Sequence, residues 1–157
     1  MALSNIIPVL HGVYSPQKVL EGARLAYGLG FKLVVISKAM GSAAQSGVPE
    51  AQKLALRLGR SLLYLADIDD VLDLLSPRAV YTVAPPPYAE NKLDPRRVIR
   101  EAEEGRVVIV FGGSDPGLSR RELEKGTPVH PPGVERDVGT LGLMAITLYL
   151  VARAIQP

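Results

Sequence analysis

Five short apolar runs rich in β-branched residues, separated by stretches that read as helices, constrain this chain most. They are Ile6 to Leu10, Lys32 to Ile36, Leu62 to Leu65, Ala79 to Val83 and Val107 to Phe111. Each run is continuously apolar instead of alternating, which predicts strands covered on both faces and therefore a mainly parallel sheet. Strand–helix alternation along the whole length places the chain in the α/β class, with a five- to six-stranded sheet flanked by helices. No linker or internal repeat divides the 157 residues, so residues 1–157 are read as one domain.

The helices carry start signals. Ser15-Pro16 and Asp94-Pro95 each place a capping side chain before a proline at the first helical position. Ser119 and Glu122 have capping-box spacing and predict a short helix through Lys125. Asp67, Asp69 and Asp70 crowd another helix start, where the macrodipole favours negative charge. The last helix, about Gly139 to Ile155, carries a stripe of Leu141, Met144, Ala145, Leu148, Ala152 and Ile155. Leu143, Ile146, Leu150 and Val151 are apolar too, so the helix is apolar nearly all round. Such a helix has to be buried on most sides, and a second copy of the chain is the expected cover.

Composition removes several chemistries. The chain has no cysteine, which excludes disulfides, thiolate metal sites and a cysteine nucleophile. His11 and His130 are the only histidines, too few for a histidine-rich metal centre, and no metal is expected. The first residues lack a basic stretch followed by a long apolar run. The uncharged run Val138 to Ala152 falls short of the ~20 apolar residues that span a bilayer. A soluble cytoplasmic protein without a membrane partner is expected. A net charge of +2 mildly favours a polyanionic partner.

Ligands of a parallel sheet bind beyond the carboxyl ends of its strands. Three loops gather there. Ala84-Pro85-Pro86-Pro87-Tyr88 follows the fourth run and Gly112 to Ser119 follows the fifth. Pro128 to Gly133 then leads toward Gly139-Thr140. Glycine admits close backbone approach and positive φ, and proline stiffens such loops. Gly112 and Gly117 are read as ligand-loop positions on this ground.

The second of these loops carries a resemblance. Val107 to Leu123, VVIVFGGSDPGLSRREL, resembles the second motif of the SpoU branch of the SPOUT methyltransferases, an apolar strand followed by FGxExxGLSxxEL. Phe111, Gly112, Gly117, Leu118, Ser119, Glu122 and Leu123 match in register. Pro132, Thr140, Ala145, Leu148 and Tyr149 fit the layout of the third motif. Pro16, Arg24, Ala26 and Gly30 fit the first. The resemblance implies a C-terminal trefoil knot that holds S-adenosylmethionine, a homodimer packed through the last helix, and a tRNA or rRNA substrate methylated on a ribose 2′-oxygen. Carried over by position, it implies cofactor contacts at Val83, Ala84, Gly112, Gly113, Pro132, Thr140 and Leu141.

The chain departs from the family pattern where catalysis is concerned. Lys18 stands at the first-motif asparagine, Ser114 at the second-motif glutamate, and Gly139 and Leu141 at the third-motif serine and asparagine. A ribose hydroxyl needs a base or an orienting charge to become a nucleophile. Arg24, the surviving first-motif arginine, and Asp115, one place after the missing glutamate, are the catalytic candidates. The basic edges Arg96, Arg97, Arg100 and Arg120, Arg121 are candidate RNA contacts. The departures also favour a second reading, a non-catalytic module that keeps the fold and binds RNA or the cofactor. A third, a metal-dependent nuclease, is prompted by Glu90-Asn91-Lys92 with the upstream aspartates, and it is set aside because that tripeptide is short and lies in a proline-rich loop.

Overall fold

The computed structural model describes residues 2–155. Among them one sheet of seven strands runs in the order β3-β2-β1-β6-β4-β7-β5, with every neighbouring pair parallel. The strands are β1 (Ile6–Val13), β2 (Leu33–Ala39), β3 (Ser61–Leu65), β4 (Ala79–Val83), β5 (Asn91–Lys92), β6 (Val107–Gly112) and β7 (Thr127–His130). The helices are α1 (Pro16–Gly28), α2 (Val48–Leu58), α3 (Ile68–Leu75), α4 (Pro95–Glu104), α5 (Arg120–Leu123) and α6 (Thr140–Ile155).

The continuous apolar runs have the reason expected of them. Along β6, Val107, Ile109 and Phe111 face a core shared with Val19 and Ala23 of α1, Val98 of α4 and Met144 of α6. Val108 and Val110 face the opposite core, with Ile68, Val71 and Leu75 of α3 and Leu123 of α5. Side chains alternate across the sheet plane, so a strand packed on both faces needs an apolar residue at every position.

The capping signals act as read. Ser15 Oγ accepts from Lys18 N, and Asp94 Oδ1 accepts from Arg96 N and Arg97 N. Asp67 and Asp70 form a reciprocal capping box at α3, and Ser119 and Glu122 form one at α5. Proline follows the cap at α1 and α4, where its missing N–H costs no helical bond.

Four expectations change. The sheet has seven strands among the described residues instead of five or six, because β5 and β7 add an edge beyond β4. The short helix predicted through Lys125 ends at Leu123. The last helix begins at Thr140, since Gly139 holds a left-handed φ of +84° that cannot continue a helix. Its buried stripe is Leu143, Met144, Thr147, Leu148 and Val151, so the inward face is rotated relative to the expected one. Ile146 and Tyr149 point outward, at 36% and 53% exposure.

Core position decides the cost of truncation. Leu148, fully buried, is expected to lose about 2–5 kcal/mol on Leu148→Ala, and Leu56, on the outer face of α2, about 0.5 kcal/mol or less on Leu56→Ala. Urea denaturation measures both, and similar losses would contradict the packing described.

Candidate ligand site at the carboxyl edge of the sheet

The chain leaves β6 through a turn with no space for side chains. A Cβ on Gly112 would stand 2.8 Å from Leu118 N and 2.9 Å from Gly117 Cα, because the loop folds back over the strand end. A Cβ on Gly113 would meet Val13 Cγ2 at 2.3 Å. The chain's own backbone requires glycine at position 112, and β1 requires it at position 113. Gly117 differs: open space surrounds it, and its φ of +96° is what demands glycine.

Three hydrogen bonds then dock the loop onto β1. Gly113 N donates to His11 O at 2.7 Å, and Ser114 Oγ donates to Gly12 O at 2.7 Å. Glu122 Oε2 lies 2.9 Å from His11 Nε2, while His11 Nδ1 lies 2.8 Å from Ser37 Oγ on β2. Ionised Glu122 can only accept, so His11 donates to it through Nε2, and Nδ1 completes the bonding of the ring with the Ser37 hydroxyl. His11 and Ser37 are buried, and this chain of bonds satisfies both. The second histidine, His130, is also buried and donates through Nδ1 to Ala89 O at 2.8 Å, tying β7 to the loop after β4. It is held as a structural tether.

Burial raises the Glu122 carboxyl, but the Ser119 amide and the charge and hydrogen bond of His11 outweigh it, so the group sits below its usual 4.5.

Between the loops after β4 and β6 and the start of α6 lies a cavity of about 580 Å³, within the range of small-molecule sites. Val83, Ala84, Leu118, Leu123 and Leu143 form its apolar wall, and Gly112, Gly117, Thr140 and Ser119 line it as well. Tyr88 and Arg120 stand at its rim, both largely exposed, and Asp137 completes the wall. Of the positions carried over from the family motifs, Val83, Ala84, Gly112, Gly117 and Thr140 meet here. Gly113, Pro132 and Leu141 are not in the lining: Gly113 packs on β1, Pro132 is exposed, and Leu141 packs against the core. Asp115 and Arg24 are exposed and likewise outside it. Asp137 escapes the sequence reading, in which Tyr88 is only the end of a proline-rich loop and Arg120 only part of a basic edge. A lone charge or aromatic in a polar loop gives no periodic signal.

A second hollow of about 490 Å³ lies among Ala2, Asn5, α4 and the end of α6. Its polar side chains are Asn5, already bonded to Ala102 O at 2.8 Å, and Glu103, which offers no convergent chemistry.

With this geometry in view, comparison with known proteins gives two results. A family model described as "RecB-family nuclease (DUF2122)" matches residues 41–150. The chain belongs to that family. A relative from Aeropyrum pernix, named as a candidate type II restriction enzyme, is 46% identical over 149 residues, covering 95% of this chain and 94% of its own length. Among solved structures, a candidate methyltransferase from Bordetella pertussis superposes with a TM-score of 0.73 at 20% identity, covering 98% of each chain. The SpoU methyltransferase AviRb from Streptomyces viridochromogenes, in complex with the cofactor AdoMet, gives 0.71 at 13% identity over 97% of this chain and 58% of its own. The fold is that of the SPOUT methyltransferases.

The expectation of RNA methyltransferase activity is corrected by the first result: the family description and the curated relatives name a nuclease and restriction enzymes. The nuclease reading set aside above is the one these names carry. One ground for setting it aside also changes, since Asn91 and Lys92 form β5 instead of lying in a loop. Its metal centre, however, is not built from these residues. Asp67 and Asp70 cap α3, and Asp69 pairs with Lys125 at 2.8 Å. Among the described residues no group of three or more histidine, aspartate or glutamate side chains is placed to hold a metal ion. No helix among them is long and apolar enough to cross a membrane.

Two consequences are measurable. Gly112→Ala forces its methyl group onto the loop backbone and is expected to cost about 1–3 kcal/mol in denaturant titration; a neutral result would mean the loop is not packed as described. Glu122 stabilises the fold above its unfolded carboxyl value near 4.5 and loses this contribution as pH falls through its lower folded-state value. The stability gap between wild type and Glu122→Gln should therefore be about 1–3 kcal/mol at neutral pH and close in acid; a gap independent of pH would contradict the charge assignment.

Proposed function

We propose that this chain binds S-adenosylmethionine in the cavity between the β4, β6 and α6 loops. One observation carries the reading: five positions read from three separate parts of the sequence, Val83 and Ala84, Gly112 and Gly117, and Thr140, line a single cavity. Its size suits an adenosyl ligand, and its make-up of apolar wall with a few polar side chains at the edge is that of a small-molecule site. AviRb, of the same fold, has been solved with AdoMet, which supports the choice of ligand.

Binding is what the residues support. Lys18, Ser114, Gly139 and Leu141 stand where the SpoU motifs carry asparagine, glutamate, serine and asparagine. Arg24 and Asp115 lie outside the lining.

We further propose that a second copy covers the outward face of α6. Ile146 and Tyr149 project from it, and Val138 is exposed just before it. An apolar helix face of this kind is a frequent interface between chains.

Calorimetric titration with S-adenosylmethionine should give micromolar binding. Thr140→Phe, which fills the cavity from its edge while leaving the sheet intact, should weaken binding by about tenfold or more, equivalent to about 1.4 kcal/mol. A folded wild-type protein that takes up no ligand would overturn the reading. For the second copy, light scattering should give twice the chain mass for wild type and the single mass for Ile146→Glu/Tyr149→Glu. A wild-type monomer would remove it.

A further inference from the structure

The cavity wall carries two formal charges, Asp137 and Arg120, and they are not equivalent. Arg120 Nε lies 3.4 Å from Glu124 Oε1, and its side chain is 94% exposed. Its charge is both paired and screened by water. Asp137 makes no ion pair among the described residues: neither Arg120 nor the neighbouring Arg136 comes within salt-bridge distance of it. Its Oδ1 accepts from Gly139 N at 2.8 Å, which fixes the carboxylate on the left-handed turn that starts α6. Oδ2 is left without a protein partner among the described residues. Glu135, two positions earlier, adds to the negative side. Asp137 is exposed as well, so the cavity offers at its mouth an oriented negative charge that has no ion-pair partner among the described residues.

A fixed charge at a cavity mouth discriminates between ligands by their own charge, because a ligand seated against it displaces part of the water that screens the pair. We infer that Asp137 is a specificity residue that takes the cationic centre of the ligand. The inference rests on the reading of this cavity as a site for S-adenosylmethionine. That ligand offers two such centres, the sulfonium and the α-ammonium group. S-adenosylhomocysteine keeps only the ammonium, and methylthioadenosine has neither.

Asp137→Asn tests the charge alone, since the amide oxygen still accepts from Gly139 N and the turn persists. Affinities of wild type and variant for the three compounds are measured by calorimetry. The inference predicts that methylthioadenosine affinity is unchanged and that S-adenosylmethionine affinity falls about five- to tenfold. If S-adenosylhomocysteine falls with it, the α-ammonium group is the partner; if S-adenosylhomocysteine is unchanged, the sulfonium is. Raising the salt concentration should shrink the wild-type advantage. An equal loss for all three compounds would show that Asp137 only shapes the turn, and no loss for any would show that the charge is not read; either result overturns the inference. Binding of all three to wild type with no charge dependence would leave the cavity assignment standing and sink only this step. Binding of none would remove both.

Discussion

The return of the chain over the end of β6 is the constraint on which the rest of this structure depends. At Gly112 the backbone of Leu118 and Gly117 occupies the volume a side chain would need, and at Gly113 the neighbouring strand does. Because the loop lies flat against β1, its far end reaches Ser119, and the α5 capping box starts above the middle of the sheet. Because α5 starts there, Leu118 and Leu123 can close one side of a cavity whose other sides come from β4 and α6. A larger residue at position 112 would lift the loop and open that wall. The cavity is thus a by-product of close packing between backbone segments, held by hydrogen bonds to His11 O and Gly12 O.

A buried polar chain reinforces the same joint. Ser37, His11 and Glu122 connect β2, β1 and α5 across the carboxyl half of the sheet. Two of them are wholly or almost wholly inaccessible to water, so breaking one link would leave a desolvated group without a partner. Glu122 also accepts from Ser119 N through its other oxygen. One carboxylate therefore holds both the helix start and the strand beneath it, and the two engagements together bring its pKa below the usual carboxylate value.

Much of this could be read in the sequence, and the parts that could not have physical reasons. β1, β2, β4 and β6 announce themselves because both their faces are largely buried, and β3, a partly exposed edge strand, does so through Leu62, Leu63 and Leu65. β7 is four residues interrupted by Pro128, and β5 is two residues at the sheet edge with both side chains exposed, so neither shows an apolar run. The capping residues Ser15, Asp67, Asp94 and Ser119 were legible since they act on their own neighbours. The pairing of His11 with Glu122 spans 111 positions and leaves no local trace. Val83, Ala84, Gly112, Gly117 and Thr140 were reached through motif register. Asp137 and Tyr88 matter only through where the fold carries them. The outward turn of Ile146 and Tyr149 was foreshadowed by a helix apolar on all sides, though the inward face was placed at the wrong angle.

The family is described as a nuclease, while the solved structures that share the fold are methyltransferases. A metal-dependent nuclease needs converging carboxylates, and here Asp67 and Asp70 are engaged in capping α3 and Asp69 in pairing with Lys125. A ligand site needs a bounded cavity with apolar walls and a few oriented polar groups, and that is present. The most direct measurement is a nuclear magnetic resonance titration of the isotopically labelled protein with S-adenosylmethionine. The account predicts that amide shifts concentrate at Val83 and Ala84, at Gly112 to Ser119 and at Asp137 to Leu141. Shifts centred instead on α4 and the end of α6, or none at saturating ligand, would contradict it.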